Sequence, residues 1–557
     1  MPSSNAAIHY VPAGYDTTGP KLMGRMAAGE AFLDAWLRHA GVERFFCYAQ
    51  ERKAAEQFAV LARNVTGTPV EWIPWSNPAA LAAPGALHIP DPSLHEHAWR
   101  RRGHDQRAYS LTGITHTTAS AGVMDMIADF ALAPLQDWDA VICTAKTVRT
   151  MVERLMDEQG AYLKDRLGAQ RIPRPQLPVI PLGVDCARFA PDPALRAAQR
   201  AALGIADDAI AVLFVGRLSF HAKAHPYPMY LALERAAQLT HKKLHLIQAG
   251  WFANDFIEDA FRDGARAFCP SVTAHFLDAR KPDVRFAIWQ AADLFSSLSD
   301  NIQETFGLTP IEAMAAGLPS VVTDWDGYRD TVQHGEHGFR VPTIAPPPGQ
   351  GTDLADGHAI GIDTYDRYCG YASQFVAVEI NATTEAYVAL VGNPALRRRM
   401  GEAARQVAQS TFDWRHVIAR YQELWADLDA RRVASAESAP ARGPVHWPAR
   451  ADPYFLFSDY PSEAISTTHR LERSDFVCDL ATIVAHPLFN FAKHRLRLDL
   501  CELVLRKVAE QPGTNLATIG TNLGEPDRAL LLRNTVFLIK LGMVRRAIAY
   551  EETEPNK

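Results

Sequence analysis

The sequence lacks several features that mark particular protein classes. Its 557 residues contain seven cysteines and no Cys-x-x-Cys pair, which argues against a disulfide framework or a zinc knuckle. No charge-free apolar run approaches the roughly 18 residues needed to cross a bilayer, and residues 1–10 lack the pattern of a signal peptide. The net charge of −6 gives no general attraction to nucleic acid. We therefore expect a reduced, cytoplasmic protein.

Short apolar runs alternate with amphipathic stretches over most of the chain. This alternation is typical of α/β domains, in which helices cover both faces of a parallel sheet. The runs form two series, so the sequence predicts two doubly wound, Rossmann-like domains. The predicted strands are Ile8–Val11, Arg44–Tyr48 and Ala140–Cys143 in the first series, and Ile210–Val215, Leu244–Ile247, Asp293–Ser297 and Ser320–Thr323 in the second.

Composition divides the chain further. A Pro- and Gly-rich insertion interrupts the second domain, and two interpretations stay open for it: a lid or binding loop, or a solvated insertion. A segment of linker composition precedes a C-terminal appendage. The predicted parts are a first domain at 1–185, a second at 186–410 with the insertion at 341–375, a helix at 411–432 that returns to the first domain, a linker at 433–450 and the appendage at 451–557.

The appendage is predicted to be mainly helical. Helices at about 494–510, 514–522 and 526–541, followed by a strand at 543–550, resemble a winged-helix module. Its 13 basic and 14 acidic residues nearly cancel, whereas a DNA-reading module is normally basic on its contact face. We therefore expect a homodimer or protein contact through this part, and no nucleic-acid binding.

The most informative stretch runs from Ser299 to Pro319, where a predicted strand leads through a loop into a short helix. A helix that begins at the carboxyl end of a parallel strand offers free amide groups and a positive dipole to phosphate. Gly307 lets a ligand approach the backbone closely. Glu304, which lies just before the helix, is suited to accept hydrogen bonds from sugar hydroxyls.

Glu312 in the same stretch has two interpretations. Thr309, Pro310 and Glu312 together match a capping box, in which Thr309 is the N-cap and Glu312 bonds back to its amide. The alternative is that the Glu312 carboxylate binds a polar group of a ligand. The residues alone favour the cap.

Two cations follow the strand at 210–215. Arg217 and Lys223 lie in the loop after it, behind Gly216. Cations in loops are usually solvated, but opposite a phosphate-binding helix these two would neutralise a diphosphate and stabilise it as a leaving group. The pairing with the glutamate-containing loop therefore predicts a diphosphate site.

At this point the second half resembles glycosyltransferase family 4, the retaining nucleotide-sugar transferases of GT-B fold. The resemblance rests on Gly216-Arg217 with Lys223, on Glu304 with Phe306-Gly307-Leu308, and on the block from Glu312 to Pro319. It covers residues 178–342 well and 376–432 acceptably. It implies two facing Rossmann-like domains across a cleft, transfer of a hexosyl group from a UDP- or GDP-linked sugar, and no essential metal or other cofactor.

The resemblance also implies roles for single residues. Glu304 would bind donor-sugar hydroxyls, and Glu312 would bind the ribose hydroxyls, which shifts its interpretation toward the ligand. Arg217 and Lys223 would offset the charge on the departing diphosphate. The backbone around the loop would hold the diphosphate, at Thr305, Phe306, Gly307 and Leu308.

The first half matches the family less well. A turn at 17–24 that contains Gly19 takes the place of the family's glycine-rich loop and is expected to close over the diphosphate. His116, after a predicted strand, is the candidate for orienting the reacting groups; a satisfied structural histidine is the alternative. The basic run Arg100–Arg102 is interpreted as a solvated face or as a contact for an anionic acceptor.

The predicted function is a retaining glycosyltransferase with an unidentified acceptor: a glycan, a lipid-linked glycan, a small metabolite or a peptide. The nearest alternative is another GT-B enzyme, either a nucleotide-sugar epimerase or a sugar phosphorylase. A second alternative is a ligand-sensing regulatory protein that acts through its C-terminal appendage. The intact set of Arg217, Lys223 and both glutamates argues against an inactive sensor.

Overall fold

A computed structural model describes residues 4–15, 24–443, 447–475 and 479–547. The chain divides into two compact units, Met1–Ala449 and Arg450–Lys557. Among the described residues, none of the helices is both long and apolar enough to cross a membrane.

The first unit contains two parallel six-stranded sheets, each with helices packed on it. The first sheet has the order β3-β2-β1-β4-β5-β6 and the second the order β12-β11-β10-β7-β8-β9. The first is built from β1 (Ala7–His9), β2 (Phe45–Ala49), β3 (Val70–Pro74), β4 (Ala86–His88), β5 (Ser110–Ile114) and β6 (Ala140–Ile142). The second is built from β7 (Ile210–Val215), β8 (Leu244–Gly250), β9 (Val272–Asp278), β10 (Leu294–Ser297), β11 (Ser320–Thr323) and β12 (Gly338–Val341).

The helices of this unit lie between and after these strands. They are α1 (Gly24–His39), α2 (Arg52–Val65), α3 (Leu94–Arg102), α4 (Ala121–Ala128), α5 (Lys146–Leu167), α6 (Pro193–Ala202), α7 (Tyr227–Thr240), α8 (Asp255–Phe268), α9 (Pro282–Arg285), α10 (Leu308–Ala315), α11 (Tyr328–Thr331), α12 (Thr352–Ala359), α13 (Tyr365–Gln374), α14 (Ile380–Gly392), α15 (Pro394–Val407) and α16 (Trp414–Ala434). The α/β expectation with two Rossmann-like sheets is confirmed. Central strands such as β8 are buried along their whole length because helices cover both faces.

The last helix of the unit, α16, packs on the first sheet. Its Trp425 indole donates a hydrogen bond to Oγ1 of Thr112, 3.2 Å away, and contacts Trp36 edge-to-face. At the start of α16, the backbone of Trp414 pairs with that of Val184, and a Cβ at Gly183 would collide with the Trp414 indole. The helix and the 181–185 segment therefore join the two sheets.

The basic run at the end of α3 is partly structural. The Arg101 side chain is fully buried and forms two 2.6 Å hydrogen bonds to the carboxylate of Asp139. It also donates to the carbonyl of Tyr109 at 2.8 Å. For Arg101 both sequence interpretations are wrong, since neither solvent nor an acceptor reaches a guanidinium that ties α3 to the strands β5 and β6.

The insertion predicted at 341–375 contains helices rather than a structureless loop. Its ends pair through the short antiparallel strands β13 (Thr343–Ile344) and β14 (Ala377–Val378), and α12 and α13 lie between them. The Tyr365 hydroxyl of α13 lies 3.0 Å from Oγ1 of Thr117, which follows strand β5 of the first sheet.

The second unit combines helices with a three-stranded antiparallel sheet of order β16-β15-β17. Its elements are α17 (Pro453–Leu456), β15 (Arg470–Arg473), α18 (Leu480–Ala485), α19 (Asn490–Lys493), α20 (Leu498–Glu510), β16 (Thr514–Asn515), α21 (Leu516–Ile519), α22 (Glu525–Lys540) and β17 (Val544–Arg546). The predicted helix at 514–522 is shorter than expected, because its first two residues pair with β15. Residues 548–550 of the predicted last strand lie outside the described residues.

Candidate functional site

The turn between β10 and α10 is shaped by a glycine. Gly307 has φ 82°, in the left-handed region that favours glycine, and a Cβ there would collide with the ring of Tyr328. Gly307 itself takes the N-cap position and α10 begins at Leu308, with no side chain capping it. The first amides of the helix are therefore left for a ligand, as expected of an anion site.

The cap predicted from the sequence is wrong. Thr309 and Pro310 lie inside the first turn of α10, and Glu312 lies beyond the position that a capping box requires. The Glu312 side chain has no hydrogen bond or ion pair within the described residues. Burial raises its pKa to about 7, against the opposing charges of Arg285 and Lys223. A partly buried carboxyl group without a hydrogen-bond partner among the described residues is available to a ligand hydroxyl.

The loop after β7 brings both cations to this turn. The Lys223 ammonium forms an ion pair with Oε2 of Glu304. Nη2 of Arg217 donates to Oε1 of Gln303, 3.0 Å away, and to the carbonyl of Ala222. Residues of opposite charge from two different loops thus meet in one place, next to the start of α10.

Three consecutive residues after β10 form hydrogen bonds to the loop that contains Arg217 and Lys223, here called the cationic loop. Oγ of Ser299 donates to the carbonyl of Lys223 at 3.1 Å, and Nδ2 of Asn301 donates to that of His221 at 2.9 Å. Between them, the carboxylate of Asp300 accepts the amide hydrogen of His225 at 3.3 Å. These contacts hold the loop at a set distance from α10.

Two carboxyl groups in this region, those of Asp300 and Glu312, make stability depend on pH. Burial raises the pKa of Asp300 to about 7, as it does for Glu312. In the unfolded chain such groups titrate near ~4, so between ~4 and ~7 the folded protein binds more protons than the unfolded chain. Stability therefore falls as pH rises through this window, by up to about 1.4 kcal/mol per pH unit for each group.

We expect Asp300→Asn and Glu312→Gln each to flatten this decline. The measurement is the free energy of unfolding, obtained by urea denaturation at pH 5, 6, 7 and 8. The exposed Glu402 of α15 provides the control, because Glu402→Gln should leave the slope of the wild type unchanged. If the unfolding free energy changed with pH equally in the wild type, Asp300→Asn and Glu312→Gln, the raised pKa values of these two carboxyl groups would be contradicted.

Tyr328 is a functional candidate that sequence reasoning missed. Its hydroxyl lies 2.8 Å from Oγ of Ser297 and 3.4 Å from Oε2 of Glu304, and its ring fills the space opposite Gly307. The signal that could have found it is its position five residues past β11, because β11 and β10 are neighbours in the sheet and their carboxyl ends meet. That inference needs the strand order, which the sequence alone does not give.

His116 lies two residues past β5. Its Nε2 is 3.0 Å from the carbonyl oxygen of Pro90, so Nε2 carries the hydrogen and Nδ1 is left as an acceptor. Burial lowers the pKa of His116 to about 4, partly offset by the Pro90 hydrogen bond and by Asp91. The ring is therefore neutral at pH 7 and suited to accept a hydrogen bond from a hydroxyl.

The remaining predicted site residues are placed as follows. Phe306 is buried, while Thr305 and Leu308 on either side of the turn are partly buried. Gly19 lies outside the described residues. Within the described part of the chain, no group of three or more His, Cys, Asp or Glu side chains is arranged to hold a metal ion.

The sequence of this second sheet matches a known family. Residues 196–346 match the family model of "Glycosyl transferases group 1". This segment contains the Arg217–Lys223 loop, the Gly307 turn and all of α10. The match lies almost entirely within the part of the chain where the sequence resembles glycosyltransferases, and it covers the second sheet of the first unit.

Two curated relatives carry the name D-inositol 3-phosphate glycosyltransferase. The one from Nocardia farcinica is 31% identical over 186 residues, which is 33% of this chain and 40% of that protein. The one from Kribbella flavida is 27% identical over 347 residues, which is 60% of this chain and 70% of that protein. This chain thus spans less than half of the Nocardia protein.

Solved structures include a broadly similar chain. A crystal structure of Anabaena Alr3699/HepE in complex with UDP and glucose is 15% identical, with a TM-score of 0.48. The match covers 76% of this chain and 100% of the Anabaena chain.

Proposed function

We propose that this protein is a retaining glycosyltransferase that moves a hexosyl group from a UDP- or GDP-linked sugar to an acceptor. The observation that carries the proposal is the meeting of Arg217 and Lys223 with Glu304 at the uncapped start of α10. Cations, free amides and a carboxylate in one place suit a diphosphate joined to a sugar. The match of residues 196–346 to the group 1 family supports it.

The ion pair between Lys223 and Glu304 indicates how the donor is held. Lys223 is paired with Glu304, so a diphosphate that reaches the Gly307 turn competes for the ammonium group. As Lys223 moves to the phosphate oxygens, Glu304 is freed to accept hydrogen bonds from the sugar hydroxyls, and Tyr328 holds it in place. Glu312 accepts from the ribose, and Thr305 to Leu308 supply backbone contacts to the phosphates.

Bond breaking is driven by charge. When the bond between the anomeric carbon and the diphosphate breaks, negative charge develops on the departing oxygen, and Arg217 and Lys223 stabilise it. With Lys223 at the phosphates, the Glu304 carboxylate is occupied by the sugar hydroxyls. This arrangement favours a route without a protein nucleophile, in which the acceptor attacks from the leaving-group face.

The acceptor binds on the side of the first sheet, where His116 offers Nδ1 to a hydroxyl. The two relatives are named for D-inositol 3-phosphate, which makes this compound the first acceptor to assay. We further propose that the second unit is a winged-helix-like module that contacts a protein partner or a second copy.

Product analysis tests the proposed reaction. The protein is incubated with UDP- or GDP-sugars and a panel of polyol phosphates and glycans, and free nucleoside diphosphate and glycosylated product are quantified. We expect equal amounts of both, with the anomeric configuration of the donor retained. Two results would overturn the proposal. One is an epimerised nucleotide sugar without release of nucleoside diphosphate, as for an epimerase, and the other is turnover only with inorganic phosphate, as for a phosphorylase.

A further inference from the structure

Residues 343–378, here called the strap, lie between β12 of the second sheet and helix α14. The β13–β14 pair closes the two ends, with Thr343 opposite Val378 and Ile344 opposite Ala377. Between them, the start of α13 is capped by the Thr364 side chain. The strap is therefore a defined structural element with its own helices, and it contacts both sides of the candidate site.

On the donor side, α13 packs against the cationic loop. A Cβ at Gly370 would lie 3.1 Å from Cβ of His221, so the helix touches that loop closely. The neighbouring Cys369 is fully buried. Burial raises the pKa of Cys369 to about 11, and the nearby charge of Arg217 opposes this rise. The helix therefore lies beside the guanidinium that is proposed to face the diphosphate.

On the acceptor side, the strap contacts the loop that carries His116 through a tyrosine hydroxyl. The Tyr365 hydroxyl lies 3.0 Å from Oγ1 of Thr117, the residue directly after His116. Both Tyr365 and Thr117 are partly buried. This contact joins the two halves of the candidate site through the strap.

We propose that Tyr365 is a positioning residue, which fixes the position of His116 relative to Arg217 and Lys223. Tyr365 links the His116 loop to α13, and α13 in turn packs against the Arg217–Lys223 loop at His221. The strap thereby sets the distance between acceptor and anomeric carbon and keeps water from competing with the acceptor. This inference rests on the proposed function and deepens it, because it assigns the insertion to the acceptor step rather than to donor binding.

The test compares Tyr365→Phe with a matched control on the same helix. Tyr371 is 44% exposed, so Tyr371→Phe removes an equivalent hydroxyl away from the site. For Tyr365→Phe we expect kcat for transfer to fall about tenfold, as for the loss of one partly buried hydrogen bond. The donor KM should stay within about twofold, and the ratio of donor hydrolysis to transfer should rise.

Thr117 gives a second, independent arm. Thr117→Val should reproduce the effect of Tyr365→Phe, Thr117→Ser should restore most of the activity, and the double variant Thr117→Val/Tyr365→Phe should be no worse than either single variant. Hydrogen exchange at residues 115–119 needs no turnover, and it should become faster in Tyr365→Phe but not in Tyr371→Phe.

The outcomes separate the two proposals. Equal transfer rates and equal exchange in Tyr365→Phe and Tyr371→Phe would overturn the role of Tyr365 while leaving the glycosyltransferase proposal standing. A rise in donor KM without a change in kcat would also overturn it, since the strap would then serve donor binding. Absence of nucleoside diphosphate release in the wild type overturns the proposed function itself, and the positioning role with it.

Discussion

Lys223→Met is expected to slow sugar transfer by about 10²–10³-fold, the range seen when one preorganised group that stabilises developing charge is removed. Methionine keeps the length and most of the packing of the lysine stem, but it supplies no charge to the departing diphosphate. It also leaves the Glu304 carboxylate, which is 10% exposed, without its cation. Steady-state rates of nucleoside diphosphate release measure the loss.

Two further variants show whether the loss reflects chemistry or folding. Lys242 is exposed in the same domain, and Lys242→Met should keep the wild-type rate. Lys223→Met/Glu304→Gln removes the charge that the single variant leaves unpaired, so it should unfold at a higher temperature than Lys223→Met and remain equally slow. A rate for Lys223→Met within about threefold of the wild type would contradict the role of the ammonium group.

Gly307→Ala is expected to destabilise the protein by about 2–4 kcal/mol and to abolish donor binding. One part of the cost, about 1 kcal/mol, comes from placing a Cβ in the left-handed region. The larger part, about 1–3 kcal/mol, comes from the collision with the Tyr328 ring in a packed region. Because Tyr328 also contacts Glu304, its displacement disturbs the sugar-binding carboxylate as well.

Gly335 is a closely matched control. It has the same φ of 82°, but a Cβ there would meet no atom within 4 Å. Gly335→Ala should therefore cost only the backbone part and should bind donor as the wild type does. Urea denaturation and donor titration of both variants provide the measurement. Equal destabilisation at the two positions would show that the collision with Tyr328 does not contribute to the loss of stability.

The framework of the site was readable from the sequence because it depends on local patterns. Parallel strands buried on both faces give continuous apolar runs, so β7 and β10 were placed within a residue of their true ends. A loop and a short helix follow β10, and the helix ends at Gly317-Leu318-Pro319, which marks a strand–turn–helix unit. The positions of Arg217, Lys223 and Glu304 at carboxyl strand ends followed from these elements.

The parts that were missed depend on contacts between distant residues. The start of α10 was misplaced because Thr309-Pro310 matches a local cap, whereas the N-cap lies two residues earlier, at Gly307, where the turn contacts Tyr328. Arg101 was interpreted as exposed because its partner Asp139 lies 38 residues away along the chain. The contact of Tyr365 with Thr117 spans 248 residues, so composition alone left the insertion open between a lid and a solvated loop.

Donor titration tests the central claim most directly. Calorimetric titration of UDP- and GDP-sugars into the wild type, Arg217→Ala and Arg399→Ala compares the guanidinium beside Gln303 with an exposed one on α15. The claim predicts saturable binding of one nucleotide sugar to the wild type and to Arg399→Ala, and binding at least about tenfold weaker to Arg217→Ala. Equal affinities in all three proteins, or no binding to the wild type, would contradict it.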